Sequence, residues 1–361
     1  MPEIHQPLDL YLCSTVRNLI FALLRSFTFS KNKSLIIVIT DQQNLSPLNY
    51  NLTILPKNIE IVFLKRKEIL NSVYSGPYGY IYKMFSIGEY RLPKFLKNKL
   101  LNIIFKKIPM LIPYFSSPHS ELYLFNDRNR LAKLLRVTWG KYHIIEDGLS
   151  NYMQKRSSVF FKMKMIIQNR EFRYRLIGDH SDCSSVFLLR PEEADPVILH
   201  KSKKIDFIDC HLAHESLKLF FQVNAFEDFD VIIATQPIAI GDLSHSEFDL
   251  VIYGKIITYL QNMNLKIAFK CHPRESANRY AKLAEDLVII DSKIPLEVLL
   301  LSSACIPKVI SIYSTAGMGF EGFCNRYTLI KNEQKNKQEQ IFLDWKHNSN
   351  LIDIRLRELI Q

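Results

Sequence analysis

Short apolar runs recur along this chain, and each stops at a cluster of polar residues. Leu8 to Cys13, Leu35 to Thr40, Ile59 to Leu64, Glu121 to Phe125 and Tyr142 to Ile145 are such runs in the first half. Lys204 to Ile208, Val231 to Ala234, Leu265 to Phe269, Leu287 to Ile290 and Val309 to Tyr313 continue the series, the last closing it. Runs of this length predict strands buried on both faces, as in a parallel sheet. Helix-period segments lie between them, among them the stretch that runs on to Leu24, Phe95 to Lys107 and Glu247 to Met263. Alternating strands and helices predict an α/β fold of two Rossmann-like domains facing each other across a cleft. A length of 361 residues with 47% apolar content suits two domains. The proline-flanked acidic segment Arg190 to Pro196 reads as the linker. The expected domains are therefore 1–195 and 196–337, with a helical tail, 338–361, able to cross back to the first domain.

In an open parallel sheet, ligands bind at the carboxyl ends of the strands, so the polar clusters there are the candidate site. Glu146-Asp147-Gly148 follows one strand. It brings two carboxylates and a glycine that lets the backbone turn tightly. On an extended chain adjacent side chains point to opposite sides, so only one acid faces a ligand well. Lys270-Cys271-His272-Pro273-Arg274-Glu275 follows another strand and gathers an imidazole, two cations and a carboxylate, with Pro273 fixing the turn. Ser314-Thr315-Ala316-Gly317 follows the last strand, a hydroxyl-rich turn expected to open a helix and receive phosphate. Pro295-Leu296-Glu297 predicts a helix start. Ser14 and Thr15 predict a helix cap. The glycine-rich dinucleotide fingerprint is absent.

The formal charge of +11 implies anionic company. No nucleic-acid motif interleaves the cations, which argues against nucleic acid as partner. Six dispersed cysteines form no C-x-x-C pair, so neither a zinc site nor a disulfide scaffold is expected. The first residues lack the pattern of a signal peptide, and no run is long and apolar enough to span a bilayer. A cytoplasmic protein is expected, with peripheral attachment to the inner face of the membrane as a further option. The Lys-rich helix from Phe95 to Lys107 fits either membrane-surface binding or packing on its own domain.

In their order and separations, Glu146-Asp147-Gly148, His272-Pro273 and Ser314-Thr315 resemble the acidic, His-Pro and Ser/Thr motifs of bacterial sialyltransferases. The surrounding strings are most similar to the lipooligosaccharide sialyltransferases of glycosyltransferase family 52, with the capsule polysialyltransferases of family 38 close behind. The likeness covers about 180 residues well and is thin before Tyr142. It implies a GT-B fold and an inverting transfer of sialic acid, or a related nonulosonic acid, from a CMP-activated donor to a bacterial glycan or glycolipid. No metal or cofactor is implied. The acidic motif would supply the base, Glu146 or Asp147, and His272 would meet the CMP phosphate. Gly148, Lys270, Pro273, Arg274, Pro295, Glu297, Ser314, Thr315 and Gly317 would line the donor site. A same-fold transferase with another nucleotide sugar, glucosyltransferase-like, and a binding protein for anionic glycan or nucleic acid are the competing readings. Acceptor, linkage, number of transfers and a homodimer are left open.

Overall fold

The computed structural model describes residues 6–43, 45–154, 176–223, 228–236, 247–272, 275–284, 287–314, 316–331, 334 and 337–360. The chain divides into two compact units, residues 1–220 and 221–361.

The first unit is built on one parallel sheet. Its strands are β1 (Leu8–Cys13), β2 (Lys33–Ile39), β3 (Ile59–Leu64), β4 (Ser120–Leu124), β5 (Tyr142–Ile145), β6 (Cys183–Leu188) and β7 (Ser202–Lys204). They lie in the order β3-β2-β1-β4-β5-β6-β7. Its helices are α1 (Val16–Thr28), α2 (Arg66–Tyr74), α3 (Gly79–Gly88), α4 (Lys94–Lys107), α5 (Ile112–Ser116), α6 (Arg130–Trp139), α7 (Pro196–Leu199) and α8 (His211–Phe220). The first six strands have the Rossmann order, in which the chain reverses direction across the sheet between β1 and β4 and opens a crevice at their carboxyl ends. Leu12 pairs with Leu124, and Leu124 with Ile144, so β1, β4 and β5 end side by side. All three side chains are buried in one apolar core.

Thr15 caps α1. Its hydroxyl accepts the Asn18 N–H at 3.2 Å, while Asn18 Oδ1 accepts the Thr15 N–H at 3.2 Å, a reciprocal cap. The apolar stripe of α4, Leu96, Leu100 and Ile104, is buried in the same core. Packing on its own unit therefore accounts for its pattern. Among the described residues no helix is long and apolar enough to cross a membrane.

The second unit carries β8 (Val231–Ala234), β9 (Ile267–Lys270), β10 (Val288–Ile290), β11 (Lys308–Ser311) and β12 (Asn325–Thr328), all parallel, in the order β10-β9-β8-β11-β12. Its helices are α9 (Phe248–Gln261), α10 (Leu296–Ser302), α11 (Gln338–His347) and α12 (Asn350–Ile360). Here the switch point lies between β8 and β11.

Several expectations are corrected. The division falls at residue 220, because α8 packs on α1 of the first unit. The strand expected from Lys204 to Ile208 is β7, ending at Lys204, and Phe207 begins a buried 3-10 turn instead. β6 and β12 went unforeseen. The serines at the start of β6 and the polar sequence Asn-Arg-Tyr-Thr of β12 hide their pairing with apolar neighbours. No helix opens after Ser314: Gly317 and Gly319, at φ 70° and 83°, carry the described part of that stretch through turns into β12. The tail forms two helices whose Phe342, Trp345, Ile352, Leu356 and Ile360 are buried in the second unit's own core.

Candidate functional site

In the first unit the acidic motif begins one residue past β5, beside the switch point. Glu146 is 4% exposed and fully engaged. Its Oε1 faces Arg17 Nη2 at 3.4 Å, and its Oε2 accepts the Leu189 N–H at 2.9 Å and the Tyr152 hydroxyl. Beside this charge, burial first and then Glu146 itself push the Tyr152 hydroxyl well above its usual pKa, so it stays a donor.

Asp147 is only half-buried and differently held. Asn18 Nδ2 donates to its Oδ1 at 2.5 Å and the Thr15 hydroxyl to the same oxygen at 3.5 Å. No partner meets its Oδ2 among the described residues. Burial raises the Asp147 pKa, against the opposing pull of the Asn18 bond and the Arg17 charge. The two neighbouring acids thus differ in kind: one is locked by its partners, the other is more accessible. Gly148, at φ 130°, takes a backbone conformation that a side chain would strain, and Asn151 Oδ1 accepts the Asp147 N–H at 2.9 Å, closing the turn.

In the second unit, side-chain bonds tie together the ends of three neighbouring strands. Thr235, just past β8, accepts the His272 N–H at 2.8 Å and donates to Glu275 Oε2 at 2.5 Å. Tyr280 donates to the other oxygen of Glu275 at 2.6 Å. Gln236 Oε1 accepts the Tyr313 N–H at 3.3 Å from beyond β11. His272 is half-buried at the end of β9. Ser314 Oγ accepts the Ala316 N–H at 2.9 Å, which leaves its O–H as a donor, and Arg326 of β12 donates to the Ala316 carbonyl at 2.7 Å. A Cβ on Gly317 would come within 2.9 Å of Cys324 Sγ, so glycine keeps this turn close to the sheet.

Lys270 behaves differently from its neighbours. Its ammonium is buried and donates to the carbonyls of Cys271 at 3.0 Å and Ser292 at 3.3 Å. Burial lowers its pKa to about 8, with Glu297 among the charges opposing that shift. Pro295 caps α10 and Glu297 lies in its first turn, so these two and Lys270 form one structural neighbourhood. Pro273, Arg274 and Thr315 lie outside the described residues. Sequence reasoning singled out the stretch that holds Glu275 but passed over Arg17, Asn18 and Tyr152 as partners, and the bonds of Thr235 and Glu275 with them. Their signal was position, within a few residues of strand ends. Among the described residues no group of three His, Cys, Asp or Glu side chains is placed to hold a metal ion.

Two parallel α/β units, each with polar groups collected at the carboxyl edge of its sheet, define a chain of the GT-B class. The solved alpha/beta-galactoside alpha-2,3-sialyltransferase of Photobacterium phosphoreum shares this fold, with a TM-score of 0.53 and 14% identity over 88% of this chain and 89% of that one. A sialyltransferase from Photobacterium damsela aligns with a TM-score of 0.48 and 13% identity over 86% and 71% of the two chains. The chain belongs to the Alpha-2,8-polysialyltransferase (POLYST) family, whose model matches residues 9–328. Of the two families that the motifs resemble, this is the polysialyltransferase one. An uncharacterized protein of Haemophilus influenzae is 25% identical over 191 residues, 50% of this chain and 59% of that protein. The chain thus spans less than two thirds of that curated relative's length.

Proposed function

We propose that the protein transfers sialic acid, or a related nonulosonic acid, from a CMP-activated donor to a hydroxyl of a bacterial surface glycan, with inversion and without a metal. The support is that the family match spans both sheets and includes the acidic motif, His272 and Ser314. Asp147 is the base. Its Oδ2 takes the acceptor hydroxyl's proton as the oxygen attacks the anomeric carbon, and the bond from that carbon to the CMP phosphate oxygen breaks. Glu146 is a positioning residue. It faces Arg17, accepts from Tyr152 and the Leu189 N–H, and so cannot turn toward a substrate.

The second unit receives the departing CMP. A phosphate leaving group needs positive charge and hydrogen bonds more than a strong acid, and the His272 imidazole, held by Thr235 through its backbone, supplies them. The Ser314 O–H and the turn kept tight by Gly317 add donors. By the family resemblance, Arg274, Thr315, Pro273, Lys270, Pro295 and Glu297 are assigned to the same donor site. No cofactor takes part, and the reaction runs on the cytoplasmic side, where CMP-activated sugars and the growing glycan meet.

The test is product analysis with the purified chain. CMP-linked sialic acid and an oligosaccharide acceptor should yield CMP and a glycoside of inverted configuration, at a rate unchanged by a chelator. Release of UDP from UDP-sugars, or no CMP release with any acceptor, would sink the reading.

A further inference from the structure

The first sheet has a second feature, at the edge opposite the acidic motif. The strands are parallel, so Ser120, His143 and Ser184 all lie in the opening residues of β4, β5 and β6, at the same end of the sheet. They line a concavity of about 490 Å³ together with Lys97, Lys141 and Trp139. That is within the range of about 300–1,000 Å³ typical of small-molecule sites. Buried polar atoms in folded proteins are nearly always hydrogen-bonded. Three that line this one concavity have no partner among the described residues: Tyr114 Oη, Ser120 Oγ and His143 Nδ1. The Tyr114 side chain is itself only 1% exposed.

The lining has a definite chemistry. Glu121 Oε2 meets His143 Nε2 at 2.7 Å, and that bond, the largest influence on it, holds the Glu121 carboxyl below its usual range. That bond holds the imidazole in place within the lining. Trp139 packs edge-on against Phe115, ring centroids 4.5 Å apart, which holds the indole as a rigid shelf. Lys97 and Lys141 add positive charge, and the one carboxylate in the lining is already paired with His143.

We propose that this concavity is a second carbohydrate site, taking one carboxylate-bearing sugar unit of the acceptor glycan away from its reacting end. The two lysines neutralise the carboxylate, and Trp139 covers an apolar sugar face. Two cations suit one charged ring and are too few to track a nucleic-acid backbone. The inference rests on the glycan acceptor proposed above and adds a site for it on the far edge of the sheet.

The experiment titrates the full chain with a soluble sialic acid oligomer, with free sialic acid and with a neutral glucan oligomer, following heat. Lys141→Glu, at an exposed position, and Lys97→Glu, at a half-buried one, should each weaken oligomer binding about tenfold. CMP release with a disaccharide acceptor should be unchanged, which shows that the variants are folded. Trp139→Ala should act alike but also removes packing, so the lysine variants decide. Unaltered oligomer binding in both lysine variants overturns the site. Equal binding of the neutral oligomer overturns the anionic class, whereas binding of free sialic acid that also weakens in both lysine variants supports a site for a single charged ring. If the wild type releases no CMP while oligomer binding still depends on Lys97 and Lys141, the transferase reading fails and this site stands.

Discussion

Asp147 and Glu146 are neighbours in sequence with opposite surroundings, and their replacements should separate accordingly. Asp147→Asn keeps the shape and removes the base, so turnover should fall by about 10²–10⁴ with little loss of stability. Glu146→Gln weakens the buried bonds to Arg17, Tyr152 and the Leu189 N–H, so stability should fall by roughly 1–3 kcal/mol while part of the activity survives. Initial rates and thermal melts measure both. Equal loss of rate in the two variants would show that the division of roles is wrong.

The pH response follows from the same environment. A base must be deprotonated, so activity should fall as pH drops through the raised Asp147 pKa, above the ordinary Asp value of 3.8. Asn18→Leu removes the bond that opposes the upward shift, so the acid limb of the pH–rate profile should move to higher pH. An unmoved limb would assign it to another group. For stability the sign is reversed from the usual carboxylate. Between 3.8 and the raised value the native state binds more protons than the unfolded one. Stability therefore declines as pH rises through that window, and Asp147→Asn should remove this slope.

At the scale of elements, the loop after β9 joins a buried amine to an accessible imidazole. The folded pKa of Lys270 is about 8 against 10.5 when unfolded, so between these values the unfolded chain binds more protons. This residue's contribution to stability should therefore rise from pH 8 to 10.5, by an amount of order 3 kcal/mol. Denaturant titrations of wild type and Lys270→Met across that range should diverge; parallel curves would mean that the amine is solvated. The elements also show what was legible. β1, β3, β5 and β8 fall where short, largely apolar runs place them, even though Asp9, Glu60 and His143 interrupt three of those runs. β6, with its serines, and β12, with Asn325 and Arg326, gain their place only from the strands beside them. The acidic motif and His272 were legible as strand ends. The roles of Tyr152 and Thr235 were not, because each depends on a contact that folding brings about, and a sequence does not display it.

For the whole molecule, length alone could not show where one unit stops. Prolines at 191 and 196 look like a linker, yet α7 and α8 stay with the first unit through contacts of α8 with α1. The C-terminal helices make the complementary point, since their large side chains complete the core of the second unit. Deleting residues 338–361 should abolish cooperative folding of that unit, because truncating a single large core side chain costs about 3–5 kcal/mol and several are lost at once. Proteolysis and heat capacity scans of the shortened chain would show a surviving N-terminal fragment with one remaining transition. A fully folded second unit would refute the role given to the tail.

The double engagement of Asn18 has a consequence for how such a chain can change. One amide starts a helix with its oxygen and sets an acid's strength with its nitrogen, so a drift that retunes the acid also frays the helix. Inheritance can alter the optimum of this protein along that route only by weakening the scaffold beneath it.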